Sequence, residues 1–308
     1  MTLQRSEIKW PIMSLIDKSA VIPRLSGRPA IFLILFLRAI IVDQANAEAL
    51  PNSVTMTVSD PRPVESAVLM LVSRFGYVIT YEDPPYSYEG DLQDVTTQVR
   101  KDLANYPPGK APKVIVPAGD VLSLSVPTSS TVDAASLATV LEKLVHTQSH
   151  NRHGAHFRVE QSGDVFHVVP TEWRDRDGNW IQRGSIFDTP ISFPPQDLSA
   201  FEMLTAICKA VSTAAHVHVV VGAGAEWFSG RYRVGADNEP AEDVLMRALT
   251  NLEAKMTWVL LYDSGQPVKS YFLSLVAVPD SGSAASKPMS ASPPGGSQKG
   301  SAGEPGDR

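Results

Sequence analysis

Cysteine is all but missing: Cys208 is the only one in 308 residues, so no internal disulfide can form. That excludes the small, disulfide-stapled class of secreted domain and leaves stability to a hydrophobic core, for which 43% apolar composition is ample. Long apolar runs are missing too. The most apolar stretch, "AIFLILFL" from Ala30 to Leu37 with "AIIV" from Ala39 to Val42, amounts to about a dozen residues and falls short of the roughly twenty that span a bilayer. Basic charge is scarce, with 27 Lys and Arg against 33 Asp and Glu. Setting aside the first 47 residues, which hold six basic and three acidic side chains, leaves 21 against 30 and a net charge of −9. Such a surface repels phosphate backbones and anionic lipid, so nucleic acid is not an expected partner. No Gly-x-Ser-x-Gly elbow, Gly-Lys-Ser phosphate loop or His-Glu-x-x-His helix occurs. "GAGAEWFSG" fails as a dinucleotide loop, because Trp227 stands where the third glycine belongs and a strand follows it.

What is present begins with an address. Arg24 and Arg28 precede the apolar run and "ANA" (Ala45 to Ala47) follows it with the small residues a signal peptidase needs, so residues 1–47 read as a signal peptide or, uncleaved, a signal anchor. Arg38 interrupts the run, and Met13 is an alternative start. The expected location is exported: periplasmic or otherwise extracytoplasmic, with membrane contact only through an uncleaved N-terminal segment. At the other end, residues 280–308 are Ser, Gly, Pro and Ala with scattered charge, and predict a disordered tail.

Between them one pattern occurs twice. "PVESAVLMLVSRFG" places Val64, Ala67, Val68, Leu71, Val72 and Phe75 at helical spacing, with Gly76 to end the helix, and "YVITYE" follows as a strand. "VDAASLATVLEKLV" is a second helix behind a possible Asp133 cap, and "HFRVE", "QSGD" and "VFHVVP" make a hairpin. Later, "QDLSAFEMLTAICKAVS" is a helix capped by Asp197 with Phe201, Leu204, Ile207, Cys208 and Val211 on its apolar side. "HVHVVV" and "GRYRV" are strands, "NEPAEDVLMRALTNLE" a helix with Pro240 near its start, and "MTWVLLY", "DSGQ" and "SYFLSLVAVP" a closing hairpin. The expected fold class is therefore α+β, with two repeated modules of helices on small mixed sheets. Their bounds are 48–172, with an inserted loop and short helix near 86–112, and 185–279, joined by a charged linker at 173–184.

"DLSAFEMLTAICKAVSTAAHVHVVV" followed by "GRYRVGADNEPAEDVLMRALTNLEAKMTWVLLYDSG" resembles the short N-terminal (STN) domain of secretins and TonB-dependent receptors, well over 186–279 and more loosely over 55–170. The resemblance implies a small α+β module on the periplasmic side of an outer-membrane machine. No barrel sequence follows it here, and Ala214 and Ala215 stand where Gly76 ends the equivalent helix of the first copy.

Candidate chemistry is diffuse. His146, His150, His153 and His156 crowd "HTQSHNRHGAHF", and His216 and His218 alternate along one strand face; either set suits zinc, or a polar connector and a half-buried strand. "ITYEDPPYSYEGD" (79–91) holds Tyr81, Glu82, Asp83, Tyr86, Tyr88, Glu89 and Asp91, and Pro84 and Pro85 end its strand. We read it as an exposed arm whose Tyr81, Glu82, Tyr86 and Tyr88 contact a partner protein, against the plainer alternative of a solvated strand end. Cys208 reads as core. No catalytic residue, metal site or cofactor is assigned. The function expected is non-catalytic docking onto an envelope or secretion-machinery protein; the alternative is a metal-binding or hydrolytic envelope protein using the histidine connector or the tyrosine and acid arm.

Overall fold

A computed structural model describes residues 52–224, 228–263, 265 and 270–280. The signal segment at 1–47 and the tail from 281 onward lie outside the described residues, as do parts of "GAGAEWFSG" and of the "DSGQ" turn. In chain order the first half runs β1 (Ser53–Ser59), α1 (Pro63–Phe75), β2 (Val78–Glu82), β3 (Leu92–Asp94), α2 (Thr96–Val99), β4 (Ile115–Pro117), β5 (Val121–Pro127), α3 (Ala134–Gln148), β6 (His156–Ser162), β7 (Val165–Arg174) and β8 (Trp180–Gln182). The second half runs β9 (Pro190–Ser199), α4 (Ala200–Ala215), β10 (Val219–Val221), β11 (Arg231–Pro240), α5 (Ala241–Thr250), β12 (Met256–Asp263) and β13 (Ser270–Ala277). This is the expected α+β class.

The repeat holds at the level of pairing. In each half the first and third strands of the unit form an antiparallel pair, β1 with β5 and β9 with β11. In each half the strand after the first helix lies parallel to the last strand of the closing hairpin, β2 with β7 and β10 with β13, and that hairpin supplies the third strand. The two halves then join edge to edge through a parallel β12–β2 pair into one seven-stranded sheet of order β10-β13-β12-β2-β7-β6, with β8 added beside β7. Because β2 runs with β12 and against β10, the copies keep the same lateral order with reversed strand direction. That requires a half-turn about an axis crossing the strands, which exchanges the faces of the sheet.

The cores confirm the exchange. On β12, Trp258, Leu260 and Tyr262 join the core under α4 and α5, while Val259 joins the core under α1 and α3 with Ile79, Tyr81 and Phe166. One sheet thus separates two cores, and each half supplies the helices on one face.

Local signals explain most element ends. Gly76, at φ 70°, closes α1 with its N–H on the Val72 carbonyl (2.9 Å), and Asp133 caps α3 by accepting from the Ser136 N–H at 2.7 Å. Asp197 does not cap α4, contrary to expectation: it lies inside β9, and Ser199 forms a reciprocal capping box with Glu202. Phe201 lies at the rim of α4, where it is 54% exposed, and Ala200, Met203, Leu204, Ile207 and Val211 face inward. Ser199→Ala is expected to lower stability by about 1 kcal/mol, and Asp197→Ala by much less, in chemical denaturation.

The insertion is closed by an antiparallel β3–β4 pair and so extends to Pro117; it holds the short helix expected there, α2, and a 3-10 turn at Leu103–Asn105. The stretch expected as a linker is a hairpin instead: β7 continues to Arg174 and pairs with β8, around a turn in which the Asp175 carboxylate accepts from the N–H groups of Asp177 and Asn179 (2.9 Å each).

Candidate functional site

The tyrosine and acid arm is interior, which corrects the expectation of an exposed one. Tyr81 and Tyr86 are buried, Glu82 and Asp83 are 2% and 0% exposed, and only Tyr88 is half-buried. The reason lies in the sheet junction. β2 is an edge strand of its own half but a central strand of the joined sheet, so residues that would face solvent beside one copy are covered by the other.

Asp83 is the centre of this junction. Its carboxylate accepts from Arg62 Nε (2.6 Å), the Tyr81 hydroxyl (2.7 Å), the Tyr86 hydroxyl (3.4 Å) and the Tyr262 N–H (2.9 Å), while its own N–H donates to the Leu260 carbonyl (2.8 Å). Arg62 also donates to the Tyr262 carbonyl (2.8 Å). Burial works against the guanidinium charge, but the adjoining Asp83 outweighs it and raises Arg62 above its ordinary range. The phenols of Tyr81 and Tyr86 are pushed up, first by burial and then by the Asp83 charge.

Glu82 and Asp83 are not a catalytic pair, because alternation along the strand sends them to opposite faces. Glu82 meets the Ser185 hydroxyl and accepts from the Ile186 N–H (3.0 Å). Burial pushes its carboxyl up to about 8 despite those two bonds. On the same face His167 Nδ1 contacts the Thr80 hydroxyl (2.9 Å) and the Glu242 carboxylate at the start of α5, a second polar tether between the halves. Thr257 donates to the Ile79 carbonyl (2.7 Å) and Lys255 to the Gly76 carbonyl (2.6 Å) across the same seam.

The connector histidines disperse. His146 and His150 pack edge to face at 4.7 Å, His153 Nδ1 lies 3.0 Å from the Gly90 carbonyl, and His156 pairs with Glu172 at 2.9 Å while stacking on Trp180. Asp91, with its carboxyl raised by burial, faces Gly154, Arg174 and His153, and Tyr88 lies under the Arg174 guanidinium. Among the described residues no three His, Cys, Asp or Glu side chains come together as a metal-holding set.

Two of the concave features involve residues singled out in the sequence. The first is a seam cavity of about 240 Å3 lined by Glu82, Pro85, Trp173, Arg183, His216, His218, Tyr262 and Tyr271 among others. It brings together residues singled out separately in the sequence, Glu82 with His216 and His218. The alternation of those two histidines on a strand is also corrected: β10 begins only at Val219, and His216, at φ 55°, ends α4 in the left-handed conformation that Gly76 adopts in the first half.

The second feature is a groove of about 550 Å3 between α4 and the sheet edge at β10, lined on the helix side by Phe201, Thr205, Cys208, Lys209, Ser212 and Thr213. Cys208 is buried at the base of the groove, and that burial pushes its thiol up to about 12, which keeps it protonated. The β10 register sends the amide groups of Val220 toward β13 and those of Val219 and Val221 outward. Ser212 occupies the Val219 pair, accepting from its N–H (2.9 Å) and donating to its carbonyl (3.2 Å), and among the described residues Val221 keeps its outward pair open. The opposite edge strand, β6, is charged by the Arg158–Glu160 pair. Sequence reasoning missed this groove because it was read as a buried helix face beside a strand; Phe201 at the margin of the stripe was the available signal.

Comparison of the whole chain with protein-family models, with curated proteins and with solved structures found no match.

Proposed function

We propose that this is a non-catalytic interaction protein of the cell envelope, built from two modules of the STN type, which takes an extended segment of an envelope or secretion-machinery protein as an added strand at β10. The observation that carries the reading is the outward N–H and C=O of Val221 at an uncharged sheet edge, beside an apolar groove with Phe201 exposed on its rim. The groove commits the occupant to a strand with an apolar side chain facing α4, and Lys209 on the same helix face favours an acidic flank. The side chains on which a hydrolytic or metal-binding reading would rest are engaged internally: Asp83 by four donors, His156 by Glu172, His153 by Gly90.

Site-specific photocrosslinking in cells tests this. A crosslinker at Phe201 is expected to trap one envelope protein that a crosslinker at the exposed Val121 does not, and Val221→Pro is expected to reduce that adduct at least about tenfold, since proline removes the outward donor while leaving the bonds to β13 in place. Adducts only with a second copy of this chain, or a yield that Val221→Pro leaves unchanged, would refute docking at this edge. Cytoplasmic recovery of the tagged full chain would refute the envelope address.

A further inference from the structure

The seam cavity carries a separate inference. Tyr262 and Tyr271 line it at 5% and 4% exposure, yet neither hydroxyl has a hydrogen-bond partner among the described residues. Their rings lie 4.9 Å apart, and burial raises both phenols, Tyr271 well above its ordinary value, so both hydroxyls carry their protons and can donate. Neither oxygen is among the fully buried side-chain atoms that lack a partner, so both open onto the cavity, where a bound group can reach them.

The charges at the mouth have the sign that would use those donors. Arg183 lines the cavity and its guanidinium has no carboxylate partner among the described residues, although acids outnumber bases in the protein. His216 and His218 complete the rim. Glu82 is the only acid in the lining, and burial holds it largely uncharged near neutral pH, so it does not repel an anion. The remaining wall is apolar and flat: Trp173, Pro85, Pro170 and Ile186. His216 adds a further sign. The second half keeps an imidazole in the left-handed backbone conformation where the first half uses glycine, and strain of this kind is retained where the side chain has a use.

We propose that this cavity binds a carboxylate on a compact apolar body, the carboxylate held by Arg183 and the hydroxyls of Tyr262 and Tyr271, the body lying against Trp173 and the prolines. About 240 Å3 admits something smaller than a drug-sized molecule. Two sources share this chemistry, a free aromatic acid and the last residue of a polypeptide chain. The site is distinct from the β10 groove in all but His218.

The test uses the purified protein and titrations by calorimetry with benzoate, N-acetylphenylalanine, its uncharged amide and inorganic phosphate. Saturable binding of at least one of the two carboxylates is expected, with the amide and phosphate at least about tenfold weaker. Arg183→Ala, at an exposed position, and Tyr271→Phe, which removes no hydrogen bond within the described residues, are each expected to weaken binding roughly tenfold or more while thermal unfolding stays within a few degrees. Tighter binding of N-acetylphenylalanine than of benzoate assigns the site to a chain terminus, and the reverse to a free acid. No saturable binding of either carboxylate, equal binding of the amide, tighter binding of phosphate, or affinity unmoved by both variants would overturn the proposal. Val221→Pro is expected to leave these affinities unchanged, which separates failure of this site from failure of the edge-docking reading.

Discussion

Asp83→Ala is expected to be the most damaging single change in the protein, lowering stability by about 3–5 kcal/mol, the range found when one partner of a buried ion pair is removed. The size follows from what is left behind. Arg62, four-fifths covered, loses its counter-charge; the Tyr81 hydroxyl loses its acceptor; and the Tyr262 N–H is stranded at the seam. Asp83→Asn keeps the shape and one acceptor oxygen and should recover part of the loss. Urea denaturation of wild type, Asp83→Ala, Arg62→Ala and the double variant gives the coupling, expected at about 1–3 kcal/mol for residues in one network. Because Asp83 and Arg62 both hold the backbone of Tyr262 in the other half, the variant is also expected to broaden the transition as the halves lose mutual support. A loss below about 1 kcal/mol would show that the seam does not depend on this hub.

Glu82→Gln is expected to act in the opposite direction and only at the alkaline end. The folded-state carboxyl lies at about 8, above the roughly 4.3 of an unfolded glutamate. Between those values the folded protein holds a proton that the unfolded chain has released, so wild-type stability falls as pH rises from about 4.5 to about 8 and levels off above. The full span corresponds to a few kcal/mol. Glutamine reproduces the neutral acid, accepting from Ile186 and donating to Ser185, without the ionisation. The variant should match wild type near pH 5 and exceed it by roughly 2–4 kcal/mol at pH 8.5. Glu65, raised by burial and by the Asp83 charge to about 7, contributes the same sign in wild type and variant alike, so the difference between them isolates Glu82. Parallel stability curves for the two proteins across pH 5 to 8.5 would contradict the buried neutral carboxyl.

The elements that sequence reading placed correctly are those whose signals are local. The α1 stripe with Gly76 at its end, the Asp133 cap of α3, Pro240 at the start of α5 and both closing hairpins depend on residues within a few positions of one another. The errors share one source. Asp197 and Ser199 are both good cap residues, and pairing of β9 with β11 through Ser199 decides between them. Helical spacing alone admits Phe201 at the margin of the apolar stripe, whereas the fold leaves it on the rim. The two prolines of "ITYEDPPYSYEGD" mark the end of a strand and so suggest exposed tyrosines, but that signal is the same whether the strand lies at an edge or in the middle of a sheet.

The α+β composition, the duplication of the unit and the positions of its helices and hairpins were legible in the order of the residues, since each rests on periodicity and on short-range capping or turn chemistry. Only the tertiary structure decided that the two units share one sheet with their helices on opposite faces. That joint is a parallel pairing of β2 with β12 between residues some 180 positions apart. Burial at the joint depends on which strand becomes an edge, and no local pattern encodes that. It converts an arm of tyrosines and acids into an interior hub, leaves β10 as the open edge, and draws Glu82, Arg183 and two histidines around one cavity.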